Sequence, residues 1–179
     1  MSLFVVEGAR KSGKSFLVNS QNWLPIFKFD FNPMYTSLEL FAKEGRPHHI
    51  GLGKELMIHQ LNRDGFLQPL IMDRGVLTNS VWGVLNDRVT EKSVINELDY
   101  MVDNDLFKKS QFFYIDGTYT KERSKDVWDY MDEKIPEERR LFDFFINHLL
   151  AKGVKISIIE NKFDIESLSN FQMIIKNLR

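Results

Sequence analysis

The 179-residue sequence predicts an α/β fold in which five parallel strands form a central sheet between two layers of helices. Three observations carry that prediction. Five short apolar runs recur along the chain: Leu3–Val6, Ile26–Asp30, Leu70–Asp73, Phe112–Asp116 and Val154–Ile159. The segments between them show apolar residues at helical spacing, and strands that alternate with helices pair in parallel through right-handed crossovers. Finally, the first run leads directly into Gly8-Ala9-Arg10-Lys11-Ser12-Gly13-Lys14-Ser15, a glycine-bearing turn that opens a helix.

Taken in order, Leu3–Val6 reads as a buried strand, and a helix runs from about Gly13 to residue 22. Ile26–Asp30 is the second strand. Residues 37–61 hold one or two helices, with Pro47 breaking the middle. The third strand, Leu70–Asp73, precedes helical patterns over Thr78–Leu85 and Val94–Phe107. After the fourth strand, Phe112–Asp116, the clearest helix spans Glu137–Lys152. Pro136 stands at its start, where a missing N–H is harmless, and Gly153 stops it. Leu141, Phe144, Phe145, His148 and Leu149 are expected to face inward. Val154–Ile159 is the fifth strand. A last helix covers Ile165–Asn177, with Leu168, Phe171, Ile174 and Ile175 inward. There is no internal repeat, low-complexity tract or linker, so residues 1–179 read as one domain.

Composition narrows the function. Hydrophobic residues make up 43% and charged residues 27%, which is globular rather than disordered, and 15 Phe dominate the expected core. A net charge of −1 argues against strong nucleic-acid affinity for the chain as a whole. Without Cys there is no thiol chemistry and no Cys-based zinc site. No apolar run approaches the roughly 20 residues that cross a bilayer, and no secretory leader is visible, so a cytoplasmic protein with no membrane partner is expected. His48-His49 and His59 lack a matching carboxylate constellation and read as surface residues.

The chemistry lies in the G-x-x-x-x-G-K-S run. Its glycines let the backbone approach phosphate oxygens, and N–H groups at a helix N-terminus point at the anion. Gly8, Ala9, Arg10, Lys11, Ser12, Gly13, Lys14, Ser15 and Phe16 are therefore the expected nucleotide-binding stretch. Lys14 supplies positive charge, and Ser15 offers a hydroxyl to Mg²⁺. In a parallel sheet, ligands gather beyond the carboxyl ends of the strands, so Glu7, Asp30, Asp73 and Asp116 should share a rim with this loop. Asp73 at a strand end suits orientation of a Mg²⁺ water or acceptance of a proton. Arg74 beside it suits an anionic acceptor.

Phe4-Val5-Val6-Glu7-Gly8 with Gly13-Lys14-Ser15 resembles the opening of thymidylate kinases and deoxynucleoside kinases. Met72-Asp73-Arg74, followed by Ser80-Val81-Trp82, resembles that family's Asp-Arg or Glu-Arg motif and its next helix. Phe113-Tyr114-Ile115-Asp116 resembles the strand before its lid. The resemblance implies a three-layer P-loop kinase fold, ATP and Mg²⁺ as cofactors, and a nucleoside or nucleoside monophosphate acceptor, most naturally a deoxynucleotide. Lys14 would contact the β- and γ-phosphates, with Lys11 neutralising the transferring group. Ser15 and Asp73 would hold Mg²⁺, and Arg74 would bind the acceptor. Asp30 would match the strand-end base of nucleoside kinases, although the family's Glu-Pro sequence is absent. A homodimer is a further expectation.

Two departures matter. Some thymidylate kinases carry Asp and then Arg where this loop has Arg10 and Lys11. Arg10 cannot accept a hydrogen bond from a sugar hydroxyl, so thymidylate is disfavoured and a more negatively charged acceptor fits better. The family's longer Arg-rich lid is also missing. Lys121, Arg123 and Lys125 are the natural replacements, with Arg123 the main candidate; Arg139-Arg140 reads mainly as helix surface. Lys162 and Phe163, after the fifth strand, stand where the family borders adenine. Trp82, Phe31 and Tyr35 are candidates for an acceptor base pocket. Two other readings stand: a kinase acting on a hydroxyl of a nucleic acid, tracked by Arg10, Lys11, Arg46 and Lys54, and a P-loop ATPase without a kinase acceptor.

Overall fold

Strand β1 (Leu3–Glu7) is buried at every position, and its side chains alternate between two separate cores. Leu3 and Val5 belong to one core, Phe4 and Val6 to the other. A strand apolar on both faces must be covered on both, which places it at the centre of a parallel sheet. The computed structural model describes residues 3–21, 24–28, 46–117 and 133–177. In it, β1, β2 (Ile26–Lys28), β3 (Leu70–Asp73), β4 (Ser110–Gly117) and β5 (Ile156–Asn161) form one sheet in the order β2-β3-β1-β4-β5. Every pairing is parallel. The direction of winding reverses beside β1, and such a reversal opens a crevice at the carboxyl edge.

Helices α3 (Val76–Leu85), α4 (Glu91–Asp103) and α5 (Ile135–Ala151) bury Leu77, Leu98 and Phe142 with Leu3 and Val5. Helix α2 (Arg46–Arg63) joins the same layer through Leu52 and Leu56. On the opposite face, α1 (Lys14–Asn19) and α6 (Ile165–Asn177) bury Leu17, Val18, Phe171 and Ile175 with Phe4 and Val6. The expected three-layer arrangement is the observed one. No helix among the described residues is long and apolar enough to cross a membrane.

Several local expectations change. Strand β5 begins and ends two residues later than the apolar run suggested. Pro47 is the second residue of α2, where the absent N–H costs nothing, and residues 37–45 ahead of it lie outside the described residues. The sheet-facing stripe of α5 is Leu141, Phe142, Phe145, Ile146 and Leu149. Phe144 is 42% exposed, and His148 leans outward to Asp99 at 2.8 Å. Both stripes have helical spacing, and docking against β4 and α3 selects the one that buries Phe142 against Tyr114.

The histidines were expected at the surface, and two of the three are buried. His48 lies between the Asn79 carbonyl and Glu97, and only His49 is exposed. His59 is fully enclosed, with Nδ1 3.1 Å from Ser110 Oγ and its ring against Phe107 and Phe112. The reason is that α2 turns a polar stripe inward. Across it lies Ser110, whose hydroxyl meets both His59 and Asn62 and would be left unmatched by an apolar face.

Burial pushes the His59 imidazole down to about 3. The unfolded chain takes up that proton near pH 6.5 and the folded protein does not, so the contribution of His59 to stability is lost as pH falls. Urea unfolding of the wild type and His59→Gln from pH 7.5 to 5 isolates this group from the other titrating side chains. The difference between the two unfolding free energies is expected to shift towards the variant by about 1.4 kcal/mol per pH unit below 6.5. A constant difference would show that His59 does not remain neutral.

Candidate active site

The turn after β1 is shaped by backbone that few residues adopt. Gly8 has φ 150°, Lys11 φ 61° and Gly13 φ 81°, and Gly13 caps the N-terminus of α1. The turn wraps inward because neighbouring backbone presses on it from outside. A Cβ at Gly117, the last residue of β4, would meet the Ser12 carbonyl oxygen at 2.3 Å. A Cβ at Gly13 would meet Asn161 Nδ2 at 2.2 Å and the Phe163 ring at 2.6 Å. These positions require glycine on grounds of space, and Gly13 also on grounds of its left-handed φ.

Lys14, the first residue of α1, turns back over the loop, and its Nζ donates to the Ala9 carbonyl at 3.2 Å. It is almost fully buried. Burial, followed by the charge of Arg74, brings its ammonium down to about 8. Ser15 Oγ donates to Asp73 Oδ2 at 3.2 Å, while the buried Asp73 Oδ1 has no partner among the described residues. Arg74 follows at φ 73°, its N–H bonded to the Val6 carbonyl. Thus the end of β3 is stitched to the end of β1, with Asp73 facing α1 and the Arg74 charge close enough to act on Lys14.

The acids divide by the alternation of their strands. Glu7 continues the Leu3–Val5 side and is fully buried. Its carboxylate accepts from the Leu77 and Thr78 N–H groups at 3.0 and 3.2 Å, and from the Thr78 hydroxyl. It caps the start of α3, and burial still pushes it up to about 7 against those hydrogen bonds. Glu55 on α2 is also fully buried, its carboxyl held well above the usual range by burial and by Glu7. Asp116 on β4 is exposed. Glu7 therefore shares the sheet edge with the loop but serves to anchor α3.

Arg10 points away from the phosphate cradle. Its N–H and its Nε donate to Glu138 at 3.1 and 3.2 Å, and its guanidinium lies 4.6 Å from the centre of the Trp82 ring. Glu138 in the first turn of α5 is buried, so the Arg10 charge is balanced on the spot. Trp82 is half-buried beneath Arg10. Nothing in the sequence marked Glu138, which reads as an ordinary first-turn acid. Asn161, which opens the loop expected to border adenine, donates from Nδ2 to the Ser12 carbonyl at 2.9 Å.

The remaining expected residues are more peripheral. Phe16 is 53% exposed on α1. Lys162 is exposed, 3.7 Å from Glu160. Phe163 is half-buried with its ring towards Gly13. Arg140 pairs with Glu137 and Glu91 on the surface, while Arg139 donates to the Gly117 carbonyl beside the loop. Lys54 is exposed on α2. Asp30, Phe31, Tyr35, Lys121, Arg123 and Lys125 lie outside the described residues, so the expected base and lid are not placed. Among the described residues no cluster of three or more His, Asp or Glu side chains suits a metal ion.

Solved structures share this architecture. A thymidylate kinase from Candida albicans is 15% identical, with a TM-score of 0.65 over 98% of this chain and 91% of its own. The YorR protein of Bacillus subtilis, solved with phosphorylated GDP, is 17% identical, with a TM-score of 0.58 over 99% and 95%. A deoxyadenosine kinase from M. mycoides with bound dCTP is 13% identical, with a TM-score of 0.56 over 98% of both chains. The protein has the P-loop nucleotide kinase fold. No protein-family model and no curated protein sequence matches the chain. Within this kinase fold, the Arg10–Glu138 pair links the phosphate loop to the helix that follows β4.

That pair sets a stability prediction. In Arg10→Met, Glu138 keeps the backbone N–H of residue 10 and loses its counter-charge, a loss worth on the order of 3 kcal/mol for a buried pair. Urea unfolding should show that cost. The double variant Arg10→Met/Glu138→Leu should recover most of it, because no charge is then left buried and unpaired.

Proposed function

We propose that this protein is an ATP- and Mg²⁺-dependent kinase that transfers the γ-phosphoryl group to a nucleoside or nucleoside monophosphate, preferentially a deoxy one. The observation that carries the reading is the convergence of Lys14, Ser15, Asp73 and Arg74 at the mouth of a loop whose φ angles and close packing fit a phosphate cradle. Two proteins of the same fold, a thymidylate kinase and a deoxyadenosine kinase, support the acceptor class. In this reading residues 1–179 act as one domain.

The residues at the end of β3 fit a magnesium ion. The Ser15 hydroxyl and the Asp73 carboxylate face each other, and the buried Asp73 Oδ1 is orphaned. Mg²⁺ commonly takes one or two protein ligands and completes its shell with substrate phosphates and water. Ser15 and Asp73 would hold it, and when bound it neutralises charge on the β- and γ-phosphates.

Phosphoryl transfer asks the protein mainly for positioning and charge compensation. N–H groups of the loop, that of Gly13 among them, would bind the phosphate chain. Lys14 would leave the Ala9 carbonyl for the β- and γ-oxygens, with Lys11 beside the transferring group. Arg74 would orient the acceptor. The acceptor oxygen attacks the γ-phosphorus as the bond to the β–γ bridging oxygen breaks, and ADP departs. A monophosphate acceptor is already deprotonated at neutral pH. A nucleoside hydroxyl must give up a proton, and Asp73 or Asp30 at the strand ends would receive it. Lys162 and Phe163 would flank the donor base, and Arg123 would close over the phosphates. The alternative acceptor, a nucleic-acid hydroxyl, has Arg10 against it, because Glu138 and Trp82 already engage that cation.

A coupled ADP-release assay across the common nucleosides and monophosphates tests the reading. Stimulation by at least one is expected, and ATP turnover that no acceptor stimulates would refute it. Labelled phosphate retained on DNA would favour the nucleic-acid acceptor. Lys14→Ala should lower kcat by about 10²- to 10³-fold, the usual effect of removing one preorganised charge from a transition state. With Lys14 at about 8 in the free protein, kcat/KM for ATP should fall about tenfold per pH unit above 8, as the ammonium deprotonates before substrate arrives. A profile flat to pH 10 would show that Lys14 stays charged.

A further inference from the structure

Asn161 closes β5 and is fully buried. Its amide bridges two loops. Nδ2 donates to the Ser12 carbonyl at 2.9 Å, and Oδ1 accepts the Phe163 N–H at 3.0 Å. The two ends of the bridge are separated by about 150 residues of sequence and belong to the phosphate loop and to the turn after β5. Phe163 sits at φ 61°, and this turn lays its ring against Gly13. Ser167 tightens the turn further, its hydroxyl accepting the Lys162 N–H at 3.1 Å.

We infer that Asn161 is a positioning residue for donor-nucleotide binding: it fixes the Ser12 peptide, and with it the direction of the N–H groups that receive the phosphates. The argument is geometric. Ser12 O is the carbonyl of the peptide whose N–H belongs to Gly13, so holding that oxygen orients that N–H at the mouth of α1. Gly117 blocks the Ser12 backbone from the side of β4, and Asn161 holds it from the side of β5. Without the amide, the Ser12 carbonyl loses this side-chain partner and the Ser12–Gly13 peptide gains freedom to rotate. Asn has both a donor and an acceptor on one rigid plane, which lets a single side chain tie both loops. Ser cannot span to Ser12, and Asp would present an acceptor to a carbonyl.

This inference rests on the nucleotide-binding reading above, and ADP separates the two. ADP affinity is measured by isothermal titration calorimetry at 15 °C for the wild type, Asn161→Ser, and the control Phe171→Leu, a core change on α6 away from the loop. Thermal midpoints are recorded for all three. Asn161→Ser is expected to weaken ADP about tenfold, while Phe171→Leu lowers the midpoint and leaves ADP affinity within twofold. If Asn161→Ser does not fold, Asn161→Asp replaces it, since it retains size and the acceptor for the Phe163 N–H. An Asn161 variant that binds ADP like the wild type overturns the inference, as does an equal loss of affinity in Phe171→Leu. Failure of the wild type itself to bind ADP would overturn the nucleotide reading instead.

Discussion

The site depends on the close approach of the Ser12 backbone to Gly117. At that point β4, β5 and the turn after β1 meet with no room for another carbon atom. Parallel pairing of β1 with both β3 and β4 brings three carboxyl ends together. Each end then contributes one constraint on the turn. β3 supplies Asp73 against Ser15, β4 supplies Gly117 against Ser12, and β5 supplies Asn161 on the Ser12 carbonyl. A loop that leaves N–H groups for an anion makes few hydrogen bonds of its own, so its shape is imposed largely by its surroundings.

Burial then sets the electrostatics. Lys14 is withdrawn from water and sits close to Arg74, which lowers the affinity of its ammonium for a proton. A neighbouring anion would oppose both effects by favouring the charged ammonium. On the far side of β1, Glu7 caps α3 and Glu55 stands near it, both carboxyls shifted upward. Glu7 anchors the helix that follows Arg74. The cationic rim and the acidic floor are separated by the alternation of a single strand, Val6 and Glu7 pointing to opposite layers.

The same logic explains Arg10. A cation within a phosphate loop would be expected to face phosphate. Here the first turn of α5 brings a buried carboxylate and α3 brings an indole, and together they take the guanidinium away. The loop's local chemistry is thus decided by two helices far from it in sequence.

Much of this was legible from residue order alone. The five strands, the glycines of the loop, the Lys-Ser pair and the Asp73-Arg74 turn follow from periodicity, from the space a phosphate needs, and from the rule that ligands gather at carboxyl ends. These are local properties, encoded by neighbours within a few residues. The inward stripe of α5, the buried histidines of α2, and the roles of Glu138, Gly117 and Asn161 were not legible. Each is decided by a partner between about 30 and 150 residues away. A helix with two apolar stripes does not state which one docks, and an Asn after a strand does not state whose carbonyl it will meet. The sequence by itself determined the sheet and the phosphate-binding turn. Only the tertiary structure decided which side chains hold that turn in shape, because those contacts exist only once the strand ends have been brought side by side.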